Sequence, residues 1–198
     1  MQLLIFGLLL LHAAGVPVLV PWPTAFSVHF AASVFNTSNP QITVAGSPAV
    51  MYYDYQQRAQ RLSFAAGCPV DVSNGSCDFI FNASGGYLIT HSDGQCCRQA
   101  VVGPPRPDWI TNLDFVDTAM SYGQKVLHFR GGTPKHNYYI LPNTQQSAAL
   151  LVVEDIYEVW QFVEDFRVGP QDPSVFLLPG NCSNTCSNAL LSPRFLSQ

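Results

Sequence analysis

Six cysteines constrain this chain more than any other feature: Cys68, Cys77, Cys96, Cys97, Cys182 and Cys186. They follow an apolar N-terminal stretch. An even cysteine count behind such a leader reads as a disulfide framework, because bridges persist in oxidising compartments. The competing use of cysteine is metal binding. The only tight spacings are the adjacent pair Cys96-Cys97 and Cys182-x3-Cys186, with no C-x2-C and no well-placed histidine. No metal site and no other cofactor is expected.

The leader itself runs Leu3 to Leu11, and Ala13-Ala14-Gly15 supplies the small residues of a cleavage site. Residues 1–15 therefore read as a signal peptide and residues 16–198 as one mature domain. A membrane anchor would need about 20 helical apolar residues, and Pro17, Pro21 and Pro23 interrupt such a helix. No later segment is long enough to span a bilayer. Four N-x-S/T sequons, at Asn36, Asn74, Asn82 and Asn181, point to the same secreted or lumenal compartment. Charged residues make up 11% of the chain, and lysine occurs only at Lys125 and Lys135. Attached glycan would supply solubility to so poorly charged a surface. Residues 1–150 balance seven acidic against seven basic side chains, and the net charge of −4 lies beyond them. No basic patch exists to neutralise phosphates, which excludes nucleic acid as a partner.

The mature chain alternates strands and turns. Phe26, Val28 and Phe30 alternate with polar or small residues, as in a half-buried strand. Val50 to Tyr53, the turn Asp54-Tyr55-Gln56-Gln57 and the run to Phe64 read as a hairpin. A second hairpin joins Cys77–Phe81 to Tyr87–Thr90 through Asn82-Ala83-Ser84-Gly85-Gly86, where Gly-Gly provides the positive φ of a tight reversal. Closing it carries Cys77 towards Cys96 and Cys97, so Cys77 is expected to pair with one of them, and short spacing suggests Cys182 with Cys186. Asp108 to Tyr122 has room for one short helix. Val126–Arg130, Asn137–Leu141 and Ala148–Val153 read as strands. Tyr157 to Val168 alternates as one strand, with Trp160, Phe162, Phe166 and Val168 on one face. The tail from Gly169 is rich in Pro, Asn and Ser, and its cysteines tie it down.

No catalytic motif is present: no G-x-S-x-G, H-E-x-x-H, P-loop or G-x-G-x-x-G. No enzymatic activity is expected. The acidic group Glu154, Asp155, Glu158, Glu164, Asp165 and Asp172 lacks a calcium loop and reads as a solvated face. Aromatic side chains are the remaining resource, at 12% of residues. If the sheet is strongly curved and its concave side is not filled by a helix, Phe79, Phe81, Tyr87, Trp109, Trp160 and Phe162 become candidates to line a site for an apolar ligand. Otherwise they are core.

Several stretches carry a resemblance: PWPTAF at 21–26, MYYDYQQRAQRL at 51–62, CDFIF with GYLI and CC, PPRPDW at 104–109, and FRVGPQDPSVFLLP with the final two cysteines. Across residues 21–186 the chain resembles a family of secreted plant and protist proteins that is itself distantly similar to the ependymins. That resemblance implies a mostly β fold: a strongly curved antiparallel sheet, a half-barrel like that of bacterial lipoprotein carriers, with at most one or two short helices. It also implies an apolar ligand and, on the ependymin side, calcium and matrix association. The family's cysteine is replaced here by Val126 and its tryptophan by Phe129, and the resemblance implies Cys97 as the partner of the replaced cysteine. Two functions follow as expectations. One is a carrier of a lipid or other apolar small molecule. The other is an extracellular structural or adhesion protein with a filled core and a matrix partner. A hydrolase or transferase ranks last. N-terminal sequencing of the secreted protein should return a chain starting near Val16; an intact Met1 on a membrane-embedded product would refute the leader.

Overall fold

The structure, a computed structural model, describes residues 17–36, 43–69, 75–100, 103–121, 123–131, 135–142, 147–153, 156–163, 166–180, 182 and 184–186. The expected leader, the sequons at Asn74 and Asn181, and Glu154, Asp155, Glu164 and Asp165 lie outside them. The strands are β1 (Ala25–Asn36), β2 (Thr43–Asp54), β3 (Ala59–Phe64), β4 (Cys77–Asn82), β5 (Gly85–Thr90), β6 (Cys96–Ala100) and β7 (Asp114–Ser121). They continue as β8 (Gln124–Gly131), β9 (Lys135–Ile140), β10 (Ser147–Val153), β11 (Ile156–Phe162), β12 (Arg167–Val168) and β13 (Asn184–Thr185). The described helical structure is two 3₁₀ turns, Trp109–Asn112 and Pro173–Phe176. The expected helix after Asp108 is thus a single turn, and the chain then enters β7, where Phe115 pairs with Phe129.

All the strands join one sheet, in the order β13-β6-β5-β4-β3-β2-β1-β11-β10-β9-β8-β7, with β12 also on β1. Two antiparallel meanders, β1 to β6 and β7 to β11, meet where β1 pairs with β11. The link from β6 to β7 must therefore pass from one end of the sheet to the other. Flat, the two strands would stand about 48 Å apart at about 4.8 Å per strand. The fourteen residue steps from Ala100 to Asp114, four of them in a 3₁₀ turn, reach at most about 42 Å. The sheet must curl for the chain to connect, and the strap at 103–113 closes over its concave side. The fold is the mostly β, strongly curved antiparallel half-barrel expected.

Register puts the apolar residues of successive strands in rows across the concave face. One row runs Val28, Met51, Leu62, Phe79, Leu88, Cys97. Another runs Phe115, Phe129, Tyr138, Leu150, Trp160, Ala32. They belong to one core cluster, joined through Phe30, whose ring stacks on Trp160 at 4.6 Å and meets Phe64 edge-on at 6.0 Å. The expected single strand Tyr157–Val168 is two: β11 stops at Phe162 and pairing with β1 resumes at Arg167. Trp160, Phe162 and Phe166 face the core as expected, but Val168 is exposed.

The disulfides overturn the expected pairings. They are Cys68–Cys77, Cys96–Cys182 and Cys97–Cys186. The hairpin does close, but it sets Cys77 opposite Thr90, two strands from β6. Cys68, in the loop after β3, reaches Cys77 instead. Adjacent strand residues point to opposite faces, so Cys97, opposite Leu88, faces the core, and Cys96, opposite Ile89, faces away. The two tail cysteines then clasp β6 from both sides, and β13 adds to its edge in parallel register. Cys97 is bonded to Cys186, so the pairing implied at the position of Val126 does not exist; Val126 is buried in β8, in the other meander. Non-reducing peptide mapping should recover these three bridges. Replacing Cys182 and Cys186 together by serine should uncover the β6 edge and cost about 2–5 kcal/mol per bridge in denaturant unfolding.

Candidate functional site

Among the described residues, the concave face is closed by two largely irregular segments, residues 17–24 and the strap, rather than by a long helix or a second sheet. Their anchors are aromatic. Trp22 meets Trp109 edge-on at 5.3 Å, Phe26 at 5.5 Å and Tyr53 at 6.0 Å. Its backbone N–H donates to Pro107 O at 2.9 Å, and its indole Nε1 donates to the Tyr138 hydroxyl at 2.7 Å. Tyr53 donates its hydroxyl to Pro105 O at 2.7 Å. Burial pushes the Tyr138 phenol up to about 12, against the opposing effect of its bonds to Ser147 and Trp22. Burial likewise raises Tyr53. Both hydroxyls stay protonated at any physiological pH, so the lid's fastenings do not titrate.

Of the candidate ligand-lining residues, the structure brings five together. Phe79, Phe81, Trp109, Trp160 and Phe162 belong to the concave cluster. Tyr87 does not. It pairs with Ile80, whereas Leu88 pairs with Phe79, so its ring lies on the convex side. Phe79, Phe81 and Trp160 are at most 1% exposed, so no water-sized space adjoins them. Anything bound on this face must displace the lid or separate these side chains.

Two buried polar groups interrupt the apolar surface. Gln60 is fully enclosed between Tyr53 and Phe81 in register; its Nε2 donates only to the Met51 sulfur, at 3.4 Å, and Oε1 has no hydrogen-bond partner among the described residues. Trp109, 6% exposed, has a buried Nε1 with none either. Orphaned polar atoms are uncommon in folded proteins. The sequence did hold a signal for Gln60, since it falls in step with Leu62 and Phe64 on an otherwise apolar face.

Where the β2–β3 and β4–β5 turns meet the start of the strap lies a half-enclosed cleft of about 420 Å³, lined by Tyr55, Arg58, Asn82, Ala83, Gly85, Gly103 and Pro104. Asn82, one of the expected glycan sites, holds an Asx turn here: its Oδ1 accepts from Ser84 N at 2.9 Å and from Ser84 Oγ at 2.6 Å. Asn36 ends β1.

The convex side carries a polar chain. Ser76 Oγ lies 3.1 Å from His91 Nδ1, His91 Nε2 lies 2.7 Å from Asp78 Oδ2, and Arg61 Nη2 donates to the same oxygen at 2.7 Å. Arg61 also donates to Val175 O, on the 3₁₀ turn that covers this side. The residue types are those of a nucleophile relay, but the chain lies outside the concave face and its carboxylate is shared with a guanidinium. Its evident work is to fasten the Ser76 segment, β3, β5 and the Pro173–Phe176 turn together. Among the described residues no group of His, Cys, Asp or Glu is arranged to hold a metal, and no helix is long and apolar enough to cross a membrane.

No protein-family profile and no curated protein sequence matches the chain. Solved structures do. A conserved protein of uncharacterized role from Thermus thermophilus is similar over 80% of this chain and 90% of its own, at 12% identity and a TM-score of 0.49. A domain described as an outer membrane lipoprotein-sorting protein, from Vibrio parahaemolyticus, covers 77% of this chain and 88% of its own, at 9% identity and a TM-score of 0.38. MucB, in complex with MucA, is similar over 83% of this chain and 56% of its own, at 11% identity and a TM-score of 0.28. These are likenesses of fold.

Asp78 supplies a test of the convex fastening. Burial alone would raise its carboxyl, but hydrogen bonds from Arg61 and Ser63 and the Arg61 charge hold it below the ordinary range. A lowered folded pKa means the unfolded chain takes up protons first. The contribution is whole above the ordinary carboxylate range and is lost as pH falls through the folded value. Melting temperature should be level above about pH 5 and fall below about pH 4. Asp78→Asn should lower the plateau, by about 3 kcal/mol for a buried pair broken on one side, and flatten the acid decline. An unchanged plateau would refute the fastening.

Proposed function

We propose that the protein is a non-catalytic binder of apolar, lipid-like molecules in the secretory pathway or outside the cell, holding them between the concave face and its lid. One observation carries this reading. Among the described residues, the apolar face of a single sheet is covered by two irregular segments alone. A strap held by Trp109, Ile110 and Leu113 and a few hydrogen bonds presents less to displace than a packed layer of secondary structure. The three disulfides fit an oxidising compartment, and the resemblance over residues 21–186 supports the same reading.

A second reading, an extracellular structural or adhesion protein with a filled core and a matrix partner, is favoured by the near-complete enclosure of Phe30, Leu62, Phe64, Phe79 and Trp160. Titration of delipidated protein with a fluorescent fatty acid separates the two. The carrier reading expects saturable binding at about micromolar strength and a change in tryptophan emission as the lid is displaced. Trp22→Phe, which keeps the ring but removes the bond to Tyr138, should speed uptake. A charge at Trp160 or Phe81 would be a poor probe, since both are enclosed and the fold would fail first. No saturable binding to the delipidated wild type would leave the filled-core reading standing.

A further inference from the structure

The β2–β3 turn contains an anomaly. Arg58 has φ +50°, and it is the only non-glycine residue with positive φ among those described. That conformation costs an L-residue about 1–2 kcal/mol and is ordinarily given to Gly or Asn. Nothing in the turn's own bonding calls for a guanidinium. The nearby carboxylate, Asp54, is already engaged by Gln56 N, Gln57 N, Gln57 Nε2 and Gln171 N, at 2.8–3.2 Å. Arg58 makes no ion pair or side-chain hydrogen bond to a described residue. Two other arginines are held in ion pairs, Arg61 with Asp78 and Arg106 with Asp108. The left-handed residue belongs to the hairpin loop, where Arg58 N donates to Tyr55 O at 3.1 Å to close a β-turn; what the loop leaves unused is the charge.

The charge is aimed at a cavity. Among the described residues, Arg58 is the only charged one lining the 420 Å³ cleft. The cleft lies beside the end of the row Phe26, Tyr53, Gln60, Phe81: Asn82 follows Phe81, and Pro104 precedes the Pro105 carbonyl that Tyr53 grips. Gln60, with its orphaned amide oxygen, is a buried polar residue of that row.

We propose that this cleft receives the head of the bound molecule, and that the head is anionic: the ligand is an amphiphile ending in a carboxylate or similar group, paired with Arg58, its chain passing beneath the strap past Gln60. This rests on the carrier reading and names the ligand's class. An anion in a half-enclosed cleft gains charge-assisted hydrogen bonds from the guanidinium, while the strap's proximity lets one molecule occupy both head cleft and apolar face.

The test compares a fluorescent long-chain fatty acid with its methyl ester on full-length protein secreted into a bacterial periplasm, where disulfides form and Asn82 stays unmodified. Wild type should bind the acid about tenfold more tightly than the ester, and the preference should shrink as salt rises. Arg58→Gly, which relieves the backbone strain, should bring the acid down to the ester's affinity without lowering the melting temperature. Equal binding of acid and ester by wild type overturns the head site and leaves the carrier reading intact, as does a preference that survives Arg58→Gly. Binding of neither overturns both.

Discussion

A short strap joining the two ends of one sheet is the constraint on which the structure depends. β6 stands next to one end of the strand order and β7 at the other, yet few residues separate them in sequence. A flat sheet cannot be bridged by so short a link, so the sheet curls. Curling gathers one face of every strand around a common axis and makes apolar alternation along each strand into a shared core. It also fixes where the strap lies. Trp109, Ile110 and Leu113 are core residues because the crossing chain has to pass over the concave face.

A single curled sheet leaves two free ends. At one, the tail covers β6 and is bonded to it on both faces. At the other, β7 has only β8 beside it among the described residues, and Val116 and Met120 are exposed. The two ends are thus treated differently, and the covalent reinforcement lies beside β4 and β5, whose residues are buried on both faces.

Local signals were legible in the sequence; signals that depend on facing were not. Both hairpins form where alternation expects them, although the second reverses at Ala83-Ser84 and Gly85-Gly86 open β5 instead; the half-barrel follows the resemblance. Cysteine pairing failed because adjacent Cys96 and Cys97 must look in opposite directions, which a distance argument along a hairpin ignores. Tyr87 was placed with Phe79 and Phe81 because aromatic content does not say which side of a strand a ring takes; one residue of register decides it. Gln60 is marked in the sequence by falling in step with Leu62 and Phe64, whereas Arg58 is an ordinary polar residue there and only the handedness of the turn makes it unusual. The lid could not be read at all, since strand order decides that PPRPDW crosses the barrel.

The clasp on β6 has a consequence for how the molecule is made. Cys96 and Cys97 emerge from the ribosome long before Cys182 and Cys186, with strands β7 to β12 between them. During that interval two neighbouring thiols wait on an open strand edge, each able to react with the other bridge's partner. Only after the second meander has docked on β1 does the tail reach β6 with its own two thiols facing opposite sides. Correct pairing is then a readout of completed architecture. Early mispairing is reversible by thiol–disulfide exchange, so the rate at which the native bridges appear becomes a measure of how quickly the second meander folds.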